Sequence, residues 1–198
     1  MLKRTWLMVI GLLLLVTACD TSHRYAGVVN DPPQPAGDFA LTDQTGGVFK
    51  LSDYTGKWVL LAYGYTHCPD VCPMTLSILR DVKKSIGTHN DQLGVVFVTI
   101  DPERDTADVM GKYVAHFDTT FKGLTGTSAE IAAAAKPYNV RYEKKDSTAA
   151  VGYVMNHTAF IYLIDPQFNL RVTYPFGVKS DEITADLQYL MQQPISQK

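Results

Sequence analysis

The chain has 198 residues, 46% of them hydrophobic and 19% charged, with 18 basic against 20 acidic side chains. Near-neutral charge with no basic block excludes a nucleic-acid-binding surface of the usual electrostatic kind. The length and apolar content suit one domain with a real core. No internal repeat or low-complexity segment is present, and the only cysteines are Cys19, Cys68 and Cys72.

Lys3 and Arg4 precede the ten-residue apolar run Leu7 to Val16. That run is too short to span a bilayer, which takes about 20 residues, and it reads as the core of a signal peptide. It ends in Val16-Thr17-Ala18-Cys19, which resembles a bacterial lipobox. The expected divisions are therefore a lipoprotein signal peptide over 1–18, a lipid-anchored tether over 19–37 beginning at a lipidated Cys19, and a folded domain over 38–198. Asp20 resembles the signal that keeps a lipoprotein in the inner membrane, on its periplasmic side.

Within the domain, 39–41 and 48–51 flank a turn-rich stretch and predict a small N-terminal hairpin. Trp58 to Tyr63 is a continuous apolar run of strand length, as in a strand covered on both faces. Pro73 suits the first position of a helix, with Cys72 at its cap, and Ile78, Leu79, Val82 and Ile86 share one face. A second buried strand covers 94–100. Val109, Met110, Tyr113, Val114 and Phe117 mark a helix, and Thr127 with Glu130 forms a capping box for an alanine-rich one. Strands at 160–164 and 170–174 surround the Asp165-Pro166 turn, and Ser180 caps a final helix. Alternating strands and helices closed by a hairpin and a helix predict an α/β thioredoxin-like fold, a central mixed sheet flanked by helices.

The chemistry gathers at Cys68-Pro69-Asp70-Val71-Cys72. A disulfide across three residues closes almost no loop and adds little chain-entropy stability, so the pair reads as chemical. It lies where a strand ends and its helix begins, where free amides and the helix dipole favour thiolate. In the predicted topology the loop before 160–164 faces that turn and carries His157, where thioredoxins keep a cis-proline. Two thiolates and one imidazole make a trigonal site acceptable to Cu(I) and incomplete for structural zinc. His23, His67, His89 and His116 read as non-ligands. Asp70 is a candidate hydrogen-bond acceptor or weak Cu(II) ligand beside the sulfurs. On the residues alone, a metal carrier and an oxidoreductase both stand.

Gly64-Tyr65-Thr66-His67-Cys68-Pro69-Asp70-Val71-Cys72-Pro73 resembles the signature of the Sco/SenC family. Val98 to Thr106 is similar to its second hallmark, and His157-Thr158 before an apolar strand to its third. The resemblance covers about 38–192. It implies a membrane-tethered thioredoxin-like protein with no catalytic residue, holding copper, Cu(I) and also Cu(II), through Cys68, Cys72 and His157. It further implies a part in assembling the binuclear copper centre of cytochrome c oxidase subunit II, with other periplasmic copper chaperones or thiol oxidoreductases as further partners. The chain departs from the family in having Asn156, where an acidic residue often precedes the histidine, and Met74, where one often follows Pro73. Asn156 is thus a candidate for altered tuning around the metal. The same cysteines, as a redox-active disulfide, also suit a thiol–disulfide reductase that keeps the oxidase cysteines reduced. A peroxidase of the peroxiredoxin type expects Pro-x-x-x-Thr-x-x-Cys; Thr66 precedes Cys68 by two residues, without that proline. The 101–106 segment reads as a loop at the site rim with no ligand role.

Overall fold

The computed structural model describes residues 23–147 and 152–193; the expected signal peptide and Cys19 lie outside them. Ten strands and four α-helices follow one another among the described residues: β1 (Val28–Pro35), β2 (Ala40–Asp43), β3 (Val48–Lys50), β4 (Trp58–Gly64), α1 (Val71–Ser85), β5 (Leu93–Thr99), α2 (Ala107–Ala115), β6 (Lys122–Thr125), α3 (Ser128–Ala135), β7 (Tyr142–Asp146), β8 (Tyr153–His157), β9 (Phe160–Ile164), β10 (Asn169–Pro175) and α4 (Ser180–Gln192). Eight strands form one sheet in the order β1-β10-β9-β4-β5-β6-β2-β3, and β7 pairs with β8 in a separate ribbon. β4, β5 and β6 run parallel, and the other pairs are antiparallel, so the sheet is mixed.

All seven residues of β4 are buried, as an apolar run without alternation requires. α1 packs on α4, α2 on β6, and α3 on β2. Leu79, Val82 and Ile86 turn into the core as their spacing demands, joined by Leu76, while Ile78 is half-buried. The predicted hairpin is β2–β3, and Thr127 and Glu130 form the expected capping box of α3. Among the described residues no helix is long and apolar enough to cross a membrane.

β6, β7 and β8 have no counterpart in the sequence expectation, and His157 ends a strand where a loop is expected; three further segments differ from it. α1 begins at Val71, so Cys72 lies in its first turn and Pro73 one residue further on. Proline is tolerated there because the first amides of a helix have no intrahelical acceptor. Likewise α4 begins at Ser180, one residue before the expected start, and the Lys179 N–H donates to the Glu182 carboxylate at 2.9 Å. Finally, 28–35, expected within the tether, is β1, laid antiparallel along β10.

Ahead of β1, His23 Nε2 lies 2.6 Å from Asp186 Oδ1 on α4, and the Ala26 N–H donates to Oδ2 at 3.0 Å. The His23 ring stacks on Tyr189 with centroids 4.2 Å apart. Asp186 is buried, so these partners replace the water it has lost. A chain starting at Asp38 would leave that carboxylate without them, at a cost of about 1–3 kcal/mol. We expect its urea midpoint to fall below that of a chain starting at Ser22. Equal midpoints would put the start of the domain at residue 38.

Candidate metal and thiol site

The two cysteines occupy the turn from β4 into α1. Cys72 is buried at 2% exposure, whereas Cys68 is half-buried. A Cβ on Gly64 would meet Cys72 Sγ at 2.7 Å and the Phe97 ring at the same distance, so only glycine lets this sulfur lie against the strand end. The Cys72 N–H donates to Cys68 Sγ at 3.3 Å. Cys68 therefore accepts from a helix-terminal amide that has no acceptor within its own helix.

These contacts divide the pair. The hydrogen bond from the Cys72 side chain, helped by His157 and the amides of Asp70 and Cys72, outweighs burial and pulls the Cys68 thiol down to about 4. The same hydrogen bond, then burial and the charge on Cys68, pushes Cys72 up. The arrangement is one thiolate and one thiol sharing a proton, and it titrates as a pair.

His157 ends β8 with Nε2 3.8 Å from Cys72 Sγ. Its Nδ1 lies 2.9 Å from the Thr158 carbonyl. A carbonyl only accepts, so Nδ1 is the donor to Thr158 and Nε2 is the ring nitrogen turned towards the sulfurs. Bonds of ~2.3 Å to sulfur and ~2.0 Å to imidazole, spread by ~120°, put the two donor atoms ~3.7 Å apart. The spacing of Cys72 and His157 is thus already that of two ligands on one soft ion. Among the described residues no three His, Cys, Asp or Glu side chains are gathered closely enough to enclose an ion as they stand.

The other candidates sit outside this trio. Asp70 precedes α1 and makes no side-chain cap; its amide, not its carboxylate, serves Cys68. Asn156 is exposed, opposite Glu143 in the β7–β8 ribbon. Both line the cleft that takes in Cys68 and His157. His67 Nδ1 lies 3.1 Å from Thr66 Oγ1.

Sequence reasoning missed what braces the cysteine turn. Asp105, fully buried, accepts from the Thr66 amide at 3.0 Å, the Thr66 hydroxyl at 2.6 Å and the Thr99 hydroxyl at 2.6 Å. The 101–106 segment is therefore a support beneath the site as well as its rim.

A mixed sheet of this order, with a dithiol at a strand-to-helix turn and an imidazole at the end of a neighbouring ribbon, defines a thioredoxin-like protein with a dithiol–imidazole site. The SCO1/SenC family model matches residues 29–192, and the chain belongs to that family. The match starts inside β1, nine residues ahead of the boundary expected at 38. Over 150 residues the chain is 37% identical to the mitochondrial SCO2 homolog of Bos taurus, covering 75% of itself and 56% of that protein. It therefore spans about half the length of that mitochondrial relative. It is 35% identical over 161 residues to a SCO2-like protein of Rickettsia felis, covering 79% and 78% of the two chains. Bradyrhizobium japonicum ScoI, solved with copper bound, superposes with a TM-score of 0.71 at 37% identity, over 78% of this chain and 98% of that one.

Because the thiolate is the nucleophile, a lowered Cys68 keeps reacting as pH falls, down to its own pKa. We expect iodoacetamide at pH 6 to label Cys68 and spare Cys72 in the reduced protein, as mapped by peptide mass. Cys72→Ala removes the largest cause of the shift and should move the acid limb of Cys68 labelling upward. Equal labelling of both residues, with a limb in the ordinary thiol range, would contradict the division of roles.

Proposed function

We propose that this protein is a copper carrier, holding the ion through Cys68, Cys72 and His157 and delivering it to the binuclear copper centre of cytochrome c oxidase subunit II. The observation that carries this reading is Nε2 of His157 standing 3.8 Å from Cys72 Sγ. It gives the two sulfurs a third donor suited to a soft ion. Two sulfurs and one imidazole suit Cu(I), and family membership with a copper-bound relative supports the same assignment. The low pKa of Cys68 gives the carrier a ligand that needs little deprotonation before copper binds. The shared proton also favours a second reading, a thiol–disulfide reductase for the cysteines of the acceptor, since a stabilised thiolate attacks disulfides as readily as it binds metal.

Anaerobic Cu(I) titration of the detergent-solubilised chain against a competing chelator tests the site. One ion per chain is expected when both cysteines are reduced and no tight Cu(I) binding when they are oxidised. Cys72→Ser should abolish tight binding and His157→Ala should weaken it. In cells lacking the protein, oxidase activity should recover with added copper. Unchanged affinity in His157→Ala, with recovery by a thiol reductant alone, would favour the reductase.

The proposal includes attachment at Cys19 to the periplasmic face of the inner membrane. Mass spectrometry of membrane-extracted protein should find a mature chain starting at an acylated Cys19, and an intact, unmodified N-terminus would reject it.

A further inference from the structure

The β7–β8 ribbon is not hydrogen-bonded to the main sheet as a strand pair, yet it supplies His157. Its base is fixed locally: the Thr158 amide donates to the Arg141 carbonyl at 3.0 Å, and the Arg141 amide to Thr158 Oγ1 at 3.2 Å. These bonds set where the ribbon starts. They do not fix its roll, and roll decides where the imidazole points, because neighbouring strand residues face opposite ways.

Tyr153, Met155 and His157 are two residues apart along β8 and so share one face. Each meets the domain body. Met155 packs on the core, and its amide serves the Tyr65 hydroxyl. The Tyr153 hydroxyl donates to Asp101 Oδ1 at 2.8 Å. The Arg104 guanidinium lies 3.6 Å from the centre of the Tyr153 ring, and Lys144 Nζ lies 3.9 Å from it. Arg104 Nη1 also donates to the Tyr153 carbonyl at 3.1 Å and pairs with Asp101. Lys144 continues to Glu103 at 2.7 Å. Backbone, ring and hydroxyl of one residue are thus all engaged by the 101–104 loop or by Lys144 of the adjoining strand.

We propose that Tyr153 is a positioning residue for His157: by clamping the far end of β8 to the 101–104 loop, it fixes the roll of the ribbon and keeps Nε2 against Cys72. The inference rests on the copper-carrier reading for its consequence and on the metal-free geometry for its premise. Removing an outer partner of a ligating histidine typically costs about 10–100-fold in metal affinity.

The test uses the full chain in detergent. In the reduced, metal-free protein, the nuclear Overhauser contact between the His157 imidazole and the Cys72 methylene should be lost in Tyr153→Leu. Cu(I) affinity should fall about 10–100-fold with it. Tyr153→Phe keeps the ring against both cations and should fall between Tyr153→Leu and wild type. In a His157→Ala background, Tyr153→Leu should add no further loss, since the group it positions is gone. An intact contact in Tyr153→Leu, or an equal loss in both backgrounds, would overturn the proposal. If Tyr153→Leu does not fold, Tyr153→Phe decides, and wild-type contact with wild-type affinity would overturn it. A lost contact in Tyr153→Leu alongside unchanged affinity in His157→Ala would leave the positioning role standing and remove the copper reading.

Discussion

The site depends on one buried carboxylate. Asp105 has no exposure, yet three donors from two elements converge on it. Two belong to Thr66, at the start of the cysteine turn, and one to Thr99, at the end of β5. A buried carboxylate of this kind is stable only while its hydrogen bonds are complete. The reverse holds for the turn. The segment 65–70 has no ladder to satisfy its backbone, and Asp105 supplies the acceptor that fixes where it leaves β4. Thr125 Oγ1 donates to the Asp105 carbonyl at 2.7 Å, so β6 is joined to the same point. The ends of β5 and β6 and the cysteine turn that follows β4 are tied together by one residue.

Above that brace, the two sulfurs are made unequal by geometry. The helix start offers the amides of Asp70 and Cys72 to Cys68 and buries Cys72 against the strand end at Gly64. Charge therefore rests on the outer sulfur and the proton on the inner one. Such a pair is suited both to receiving a soft cation and to attacking a disulfide, and the dithiol alone does not distinguish the two chemistries. His157 serves both as well: its Nε2 stands against the buried sulfur as a third donor, and it also helps hold Cys68 as thiolate.

What was legible in the sequence follows from what burial does to composition. β4, β5 and β9 are covered on both faces, so they read as unbroken apolar runs. β6 has four residues, one of them Gly123, whose absent side chain makes room for Met110 and Val114; so short a run shows no period. The Tyr142-Glu-Lys-Lys-Asp strand of β7 is largely exposed and carries no apolar signal. β1 is Pro-rich and exposed almost throughout, and only its partner β10 makes it a strand. The cysteine spacing and the histidine before an apolar strand were readable because they are local. Asp105 and Tyr153 were not. Their partners lie 39 and 52 positions away, at Thr66 and Asp101, and nothing beside them announces the contact.

The docking of His23 on α4 changes how far the head can travel. An unstructured leader from Cys19 to Gly37 would span up to ~60 Å and let the site sweep a wide dome over the bilayer. With His23 pinned to Asp186 and Tyr189, four residues remain, at most ~14 Å. If Cys19 carries the proposed lipid, the docked end of the domain is held within that reach of the bilayer surface. Its encounters with other membrane proteins would then be confined to two dimensions. Release of the His23 latch would extend that reach only as far as Val28, where β1 is laid along β10.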